Sequence, residues 1–368
     1  MDTSAAPAAA STLAKRKERD SALELLRILA MVLIVCHHFS VHSGLPLGGG
    51  YAGTHPFNVL WAQWLAYGGK LGVDIFVMIS GYFLAAKCAH LKSLLMLVFT
   101  TAFYGGIIYC LYTLVLAGGA NNVLFSLDKF VDSLKPNGYW FISCYLSVLC
   151  LSPFLALAFN AFTRQQLLAL GLLFAASFIF LSSHSAQKIF VACFVIAAYI
   201  RLHVPQETQN NRRICIVLIL AMLAMMLWPL YCRASGQPGI WFNCANMQSI
   251  PVLVLSACLL LLFRNLKLGH IPWINTIAAA TLGIYLIHDN NIVRPWLWKQ
   301  LLHVSAHLES TLFPLWSVVV VAGVFAACCI VEHVRRLLLT PVFDWLLKPV
   351  DALDKRLAAF FAIAPGSR

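Results

Sequence analysis

Charge is scarce in this 368-residue chain: only 11% of its residues are Asp, Glu, Lys or Arg. The 14 acidic residues are too thinly spread to form a carboxylate-rich cage for magnesium or calcium. No HExxH, GxSxG or phosphate-loop pattern occurs, so the zinc-peptidase, serine-hydrolase and P-loop nucleotide chemistries have no motif to stand on. The 12 cysteines include no CxxC pair, and most sit inside apolar runs, where they read as small buried hydrophobes. No metal is expected. Cys232 and Cys244 share one loop and are candidates for a single disulfide.

What fills the chain instead is apolar. It is 61% hydrophobic with a mean hydropathy of +0.80, far more than one water-soluble core needs, and this predicts an all-α, polytopic integral membrane protein. The net charge of +12 comes from short basic groups between apolar runs. They form no stripe interleaved with aromatics, so nucleic acid is not an expected partner. Windows of about twenty apolar residues predict about ten spans, near 22–42, 68–87, 93–117, 139–160, 166–182, 187–203, 213–231, 249–263, 274–291 and 313–333. Lys and Arg concentrate in alternate connections, which predicts a cytoplasmic N-terminus. Three segments follow: a disordered basic cytoplasmic tail at 1–20, a transmembrane domain at 21–335, and an amphipathic cytoplasmic segment at 336–368.

The predicted first span runs from Glu24 to Phe39, opening on Arg27 and closing on His37 and His38. Eleven residues at about 100° each make about three turns, so Arg27 and His38 share one helix face, roughly 16 Å apart along the axis. Ionisable groups inside a membrane helix are costly and mark functional sites. Arginine suits phosphate, because its planar fork binds bidentately and keeps its charge; a neutral histidine can take a proton from an alcohol. The bland alternative is that Arg27 pairs with Glu24, one turn earlier. Asp74 in the second span either orients His38, as a carboxylate does for a catalytic histidine, or pairs with Lys70 at i,i+4. Near the end of the ninth span, His288, Asp289, Asn291 and Arg294 follow one another closely enough to line a polar cavity, or to cap a helix end. Aromatic and amide residues in the outer loops, Trp140 among them, read as an interfacial belt or as a sugar-binding surface.

Arg27-x10-His38, Gly72-Val73-Asp74-Ile75-Phe76 with Ile79-Ser80-Gly81, and Leu282-Gly283-Ile284-Tyr285-Leu286-Ile287-His288 together resemble the bacterial membrane acyltransferase-3 family. The likeness covers about residues 20–335. The resemblance implies an O-acyltransferase of the bacterial inner membrane that moves an acetyl or other acyl group from cytoplasmic acyl-coenzyme A to a hydroxyl of a surface or capsular polysaccharide. It implies His38 as the catalytic histidine, and the residue reading adds Asp74 as its orienting partner. Arg27, with Lys92, would hold the acetyl-CoA donor. Trp140, His288, Asp289, Asn291 and Arg294 would face the extracytoplasmic glycan. Membrane lipid and polysaccharide-biosynthesis proteins are the other expected partners. One departure stands out: the Arg-x-x-Arg motif frequent early in the family's third span is absent, and Lys92 is the nearby cation. The rival expectation is a polysaccharide exporter without catalytic activity, in which Arg27, Asp74 and His38 line a gated path.

Overall fold

The computed structural model describes residues 21–48, 53–86, 90–117, 124–180, 185–206, 211–235 and 249–361. The expected tail at 1–20 lies outside these, and so does Cys244 of the expected disulfide. Among the described residues the chain is helical, with no strand.

Helix α1 (Ser21–Val41) is the hub. It packs along α2 (Pro56–Leu84) for most of its length and touches α9 (Ile250–Arg264), α10 (Pro272–Ala278), α11 (Thr281–His288) and α12 (Phe313–Leu346). Small residues permit the α1–α2 approach: a side chain at Gly72 would overlap the Ala30 carbonyl, and one at Gly69 would overlap the His37 ring. Without a hydrophobic drive between helices in lipid, close backbone approach of this kind is what holds them together. Around this centre lie α3 (Leu91–Ala117), the short α4 (Leu127–Leu134), α5 (Trp140–Ala161), α6 (Arg164–Phe180), α7 (Ala186–His203) and α8 (Asn211–Ala234). Helix α8 presents Ile216, Ile219, Leu220 and Leu223 outward, as a lipid-facing helix does.

Among the described residues, six helices are long and apolar enough to cross a bilayer: α1, α3, α5, α7, α8 and α12. Three boundaries differ from the sequence reading. Helix α2 begins at Pro56, a dozen residues before the expected start, because its early polar residues are satisfied: Asn58 donates to the carbonyls of Leu308 and Ser310, and Gln63 to that of Leu47. The expected ninth span is two helices, α10 and α11, broken at Ala279 and Ala280, and Arg336 on α12 donates to the Ala279 carbonyl at the break. Helix α12 continues to Leu346, so it takes in the start of the segment expected to be separate and amphipathic. The short helix α13 (Asp351–Phe360) then folds back onto α3, where Asp354 accepts from the Leu91 backbone N–H and lies 3.1 Å from His90.

Candidate active site

The two ends of α1 carry different equipment. At its start, Arg27 lines a cleft of about 480 Å³ together with Phe76, Ser80, Tyr145, Ala279 and Leu282. The guanidinium is ion-paired with Glu24 and lies 5.9 Å from the centre of the Phe76 ring. Ser80 and Tyr145 share a hydrogen bond at 2.7 Å on the opposite wall. Lys92, expected beside Arg27, is engaged elsewhere: its Nζ sits 3.4 Å from Asp344 and 3.3 Å from Asp351, so it pins the C-terminal segment to the start of α3.

At the other end, His38 is buried, and its Nδ1 lies 2.9 Å from Nε2 of His288 on α11. The tautomers follow from the partners. His288 Nδ1 faces the Ile284 carbonyl, which only accepts, so Nδ1 carries the proton and Nε2 offers its lone pair. His38 Nδ1 must therefore donate to it, and His38 Nε2 is left with a free lone pair. That is the arrangement of a base held by an orienting partner. Asp289 adds negative charge beside the pair, 3.6 Å from His38 Nδ1 and 3.8 Å from His42 Nε2, and is itself held by Arg294 at 2.9 Å.

The residues expected to face an acceptor gather at this end. Asn291 donates to the Gly138 carbonyl, Asn290 to the Tyr139 hydroxyl, and Tyr139 to the Leu286 carbonyl, which joins the start of α5 to the end of α11. Trp140 packs under Lys70, with 5.3 Å between Nζ and the ring. Asp74 is the exception. It is fully buried but makes no hydrogen bond or ion pair with His38; its carboxylate lies with Lys70, one turn away on α2, and Cys193 on α7. The reason is the face of α2 it occupies: α2 packs on α7 as well as on α1, and Asp74 points into the α7 side. Its expected place beside His38 is taken by His288 and Asp289.

Sequence reasoning passed over His42 and Tyr285 as site residues. His42 is one turn beyond His38, with ring centres 5.1 Å apart, and the i,i+4 spacing was the available signal. The Tyr285 ring is 6.4 Å from that of His38. His38, His42 and Asp289 place ligand atoms within 4.8 Å of one another, close enough to suggest a metal. Two of these groups already have partners: His38 Nδ1 is bonded to His288, and Asp289 is paired with Arg294.

Between the two ends, Met31, Ile34, Val73, Phe76, Phe141, Leu282 and Tyr285 line a narrow apolar slot of about 10 Å³. It shares Phe76 and Leu282 with the cleft at Arg27 and reaches Tyr285 beside His38. Cleft, slot and histidine pair thus lie in sequence along one face of α1.

A family model described as an acyltransferase domain matches residues 20–333. The chain belongs to the acyltransferase-3 family. Family and helices together make this a membrane acyltransferase. No curated protein and no solved structure gave a significant match.

Proposed function

We propose that this acyltransferase takes an acetyl group from acyl-coenzyme A on the cytoplasmic side of the bacterial inner membrane and passes it to a hydroxyl of a cell-surface or capsular polysaccharide on the other side. The observation that carries this reading is the alignment along α1 of the Arg27 cleft, an apolar slot that shares Phe76 and Leu282 with it, and the His38–His288 pair. A coenzyme thioester has the matching parts: anionic phosphates, a long thin arm and a reactive carbonyl at its tip. The proposal includes ten crossings with a cytoplasmic N-terminus, which puts Arg27 on the donor side and His38 toward the acceptor.

In this mechanism the acceptor hydroxyl gives its proton to His38 Nε2 while its oxygen attacks the thioester carbonyl. Collapse of the adduct breaks the carbon–sulfur bond, and the imidazolium returns the proton to the departing thiolate. His288 keeps the ring in the productive tautomer, and Asp289 favours the transient positive charge. Arg27 binds phosphate after exchanging Glu24 for it. The slot must widen to admit the arm, and Phe76, common to slot and cleft, is the side chain whose rotation does so. Acceptor residues at the His38 end, and an association with polysaccharide-biosynthesis proteins, are parts of this proposal.

The test is transfer of labelled acetyl from acetyl-CoA to surface glycan in membranes with matched amounts of wild-type protein and His38→Ala. General-base catalysis contributes about 10²–10⁴-fold, so the variant should lose at least about a hundredfold in rate. Unchanged glycan labelling in His38→Ala would remove the catalytic assignment, and no labelling even by wild type would remove the acetyl-CoA-to-glycan reading.

A further inference from the structure

A second cavity, of about 390 Å³, lies away from the active site where the end of α7 meets α8 and α9. Its polar lining is Arg213, Arg264 and Asn265, and its apolar walls include Val217, Cys258 and Leu261. Among the described residues, no carboxylate lines it. Arg264 is only 7% exposed and spends two of its nitrogens on the backbone: NH1 donates to the carbonyls of Ile200 and Val204, and NH2 to that of Pro205. Its Nε–H has no partner among the described residues. The neighbouring Asn265, equally buried, donates through Nδ2 to Asn211 and leaves its Oδ1 unpartnered. A buried donor and a buried acceptor left unpaired are both costly, more so where the group is charged, so the two orphans ask for a ligand.

Position narrows what that ligand is. Asn265 follows the C-terminal end of α9, and the chain then reaches Gly269, whose carbonyl accepts from the Ser21 backbone N–H at the start of α1. The cavity is therefore at the Arg27 end of the bundle, at the depth where apolar α8 begins. Arg213 is exposed on the first turn of α8, and Ile216, Ile219 and Leu220 continue the helix as a lipid-facing surface.

We propose that this cavity is a binding site for an anionic phospholipid of the phosphatidylglycerol type. The phosphodiester lies between Arg213 and the Nε–H of Arg264, a headgroup hydroxyl donates to Asn265 Oδ1, and one acyl chain runs along Val217, Cys258 and Leu261. Two guanidinium groups over an apolar groove, with no carboxylate among the described lining residues, match that amphiphile in charge and in shape. A zwitterionic lipid brings an ammonium that the arginines repel, and a free phosphate leaves the apolar wall uncovered.

The test is native mass spectrometry of the full-length protein in detergent, titrated with an equal mixture of dioleoyl-phosphatidylglycerol and dioleoyl-phosphatidylethanolamine. Two arginines near an anionic headgroup predict about tenfold preference for phosphatidylglycerol. Arg213→Glu should abolish the preference and Val217→Trp should reduce retention of both lipids; Lys129→Glu, on exposed α4, should leave binding as in wild type. Arg213 and Val217 are both exposed, so these variants do not disturb the core. Full preference in Arg213→Glu would overturn the site. Displacement of the lipid by millimolar inorganic phosphate would show a free-anion site instead.

Discussion

The two ends of α1 differ in how much of their chemistry is already assembled. At His38 a chain of partners is already in place: His288 is fixed by Ile284, His38 by His288, Asp289 by Arg294, and the start of α5 by Tyr139 and Asn290. At Arg27 there is an open cleft, and the one arginine among its described lining residues is engaged by Glu24 on its own helix. A preorganised cluster acts on the rate of the chemical step, whereas an exchangeable ion pair acts on donor affinity. In the proposed mechanism, the split lets one helix serve a soluble, mobile donor at one end and a rigid reaction centre at the other.

The sharpest way to break this comparison is at His288. It touches His38 but is not itself the base, so His288→Ala should lower kcat by about 10–100-fold with little change in the KM for acetyl-CoA. His288→Gln, whose amide oxygen can accept from His38 Nδ1, should recover part of the loss. A purely structural role would show both variants equally impaired and less abundant in the membrane.

At the other end the effect should fall on KM. Arg27→Ala should raise the KM for acetyl-CoA about tenfold, in keeping with the loss of one charge-assisted phosphate contact, and leave kcat within about threefold. Glu24→Gln should shift KM the opposite way, by a few-fold, because it releases Arg27 from its partner. Opposite signs at adjacent positions are hard to obtain from misfolding; a rise in KM for both variants would remove the donor assignment.

A smaller and purely structural effect is expected at Gly283. A methyl there would press on the Glu332 carboxylate, which is buried, bonded by Tyr104 at 2.6 Å and forked with Arg335 at 2.8 and 2.7 Å. Overpacking of this kind costs about 1–3 kcal/mol, so Gly283→Ala should lower the Tm of the detergent-solubilised protein. A Tm equal to wild type would show that α11 and α12 are less tightly joined than their contact suggests.

The phase relation of Arg27 and His38 was legible in the sequence because it depends only on helical periodicity within one segment. The partner of His38 was not, because His38 and His288 are 250 positions apart and nothing local favours His288 over Asp74. Asp74 was read by its depth, and depth leaves the helix face undetermined. The break between α10 and α11 was hidden for a related reason: it falls at two alanines, with no glycine or proline to mark it, and Arg336 from 57 positions away engages a carbonyl there. The early start of α2 did have a local signal, Pro56 in the first turn, which was outweighed by polar residues whose partners lie in distant segments.

The most direct test of the central claim, that donor and acceptor use opposite ends of α1, is sidedness. Membrane vesicles of both orientations, loaded with glycan acceptor, would be supplied from outside with membrane-impermeant labelled acetyl-CoA. Transfer to lumenal glycan should occur in inverted vesicles, where the cytoplasmic face is outward, and be absent from right-side-out vesicles. Equal transfer in right-side-out vesicles that are shown to be sealed would contradict the account, because the donor would then be entering from the His38 end.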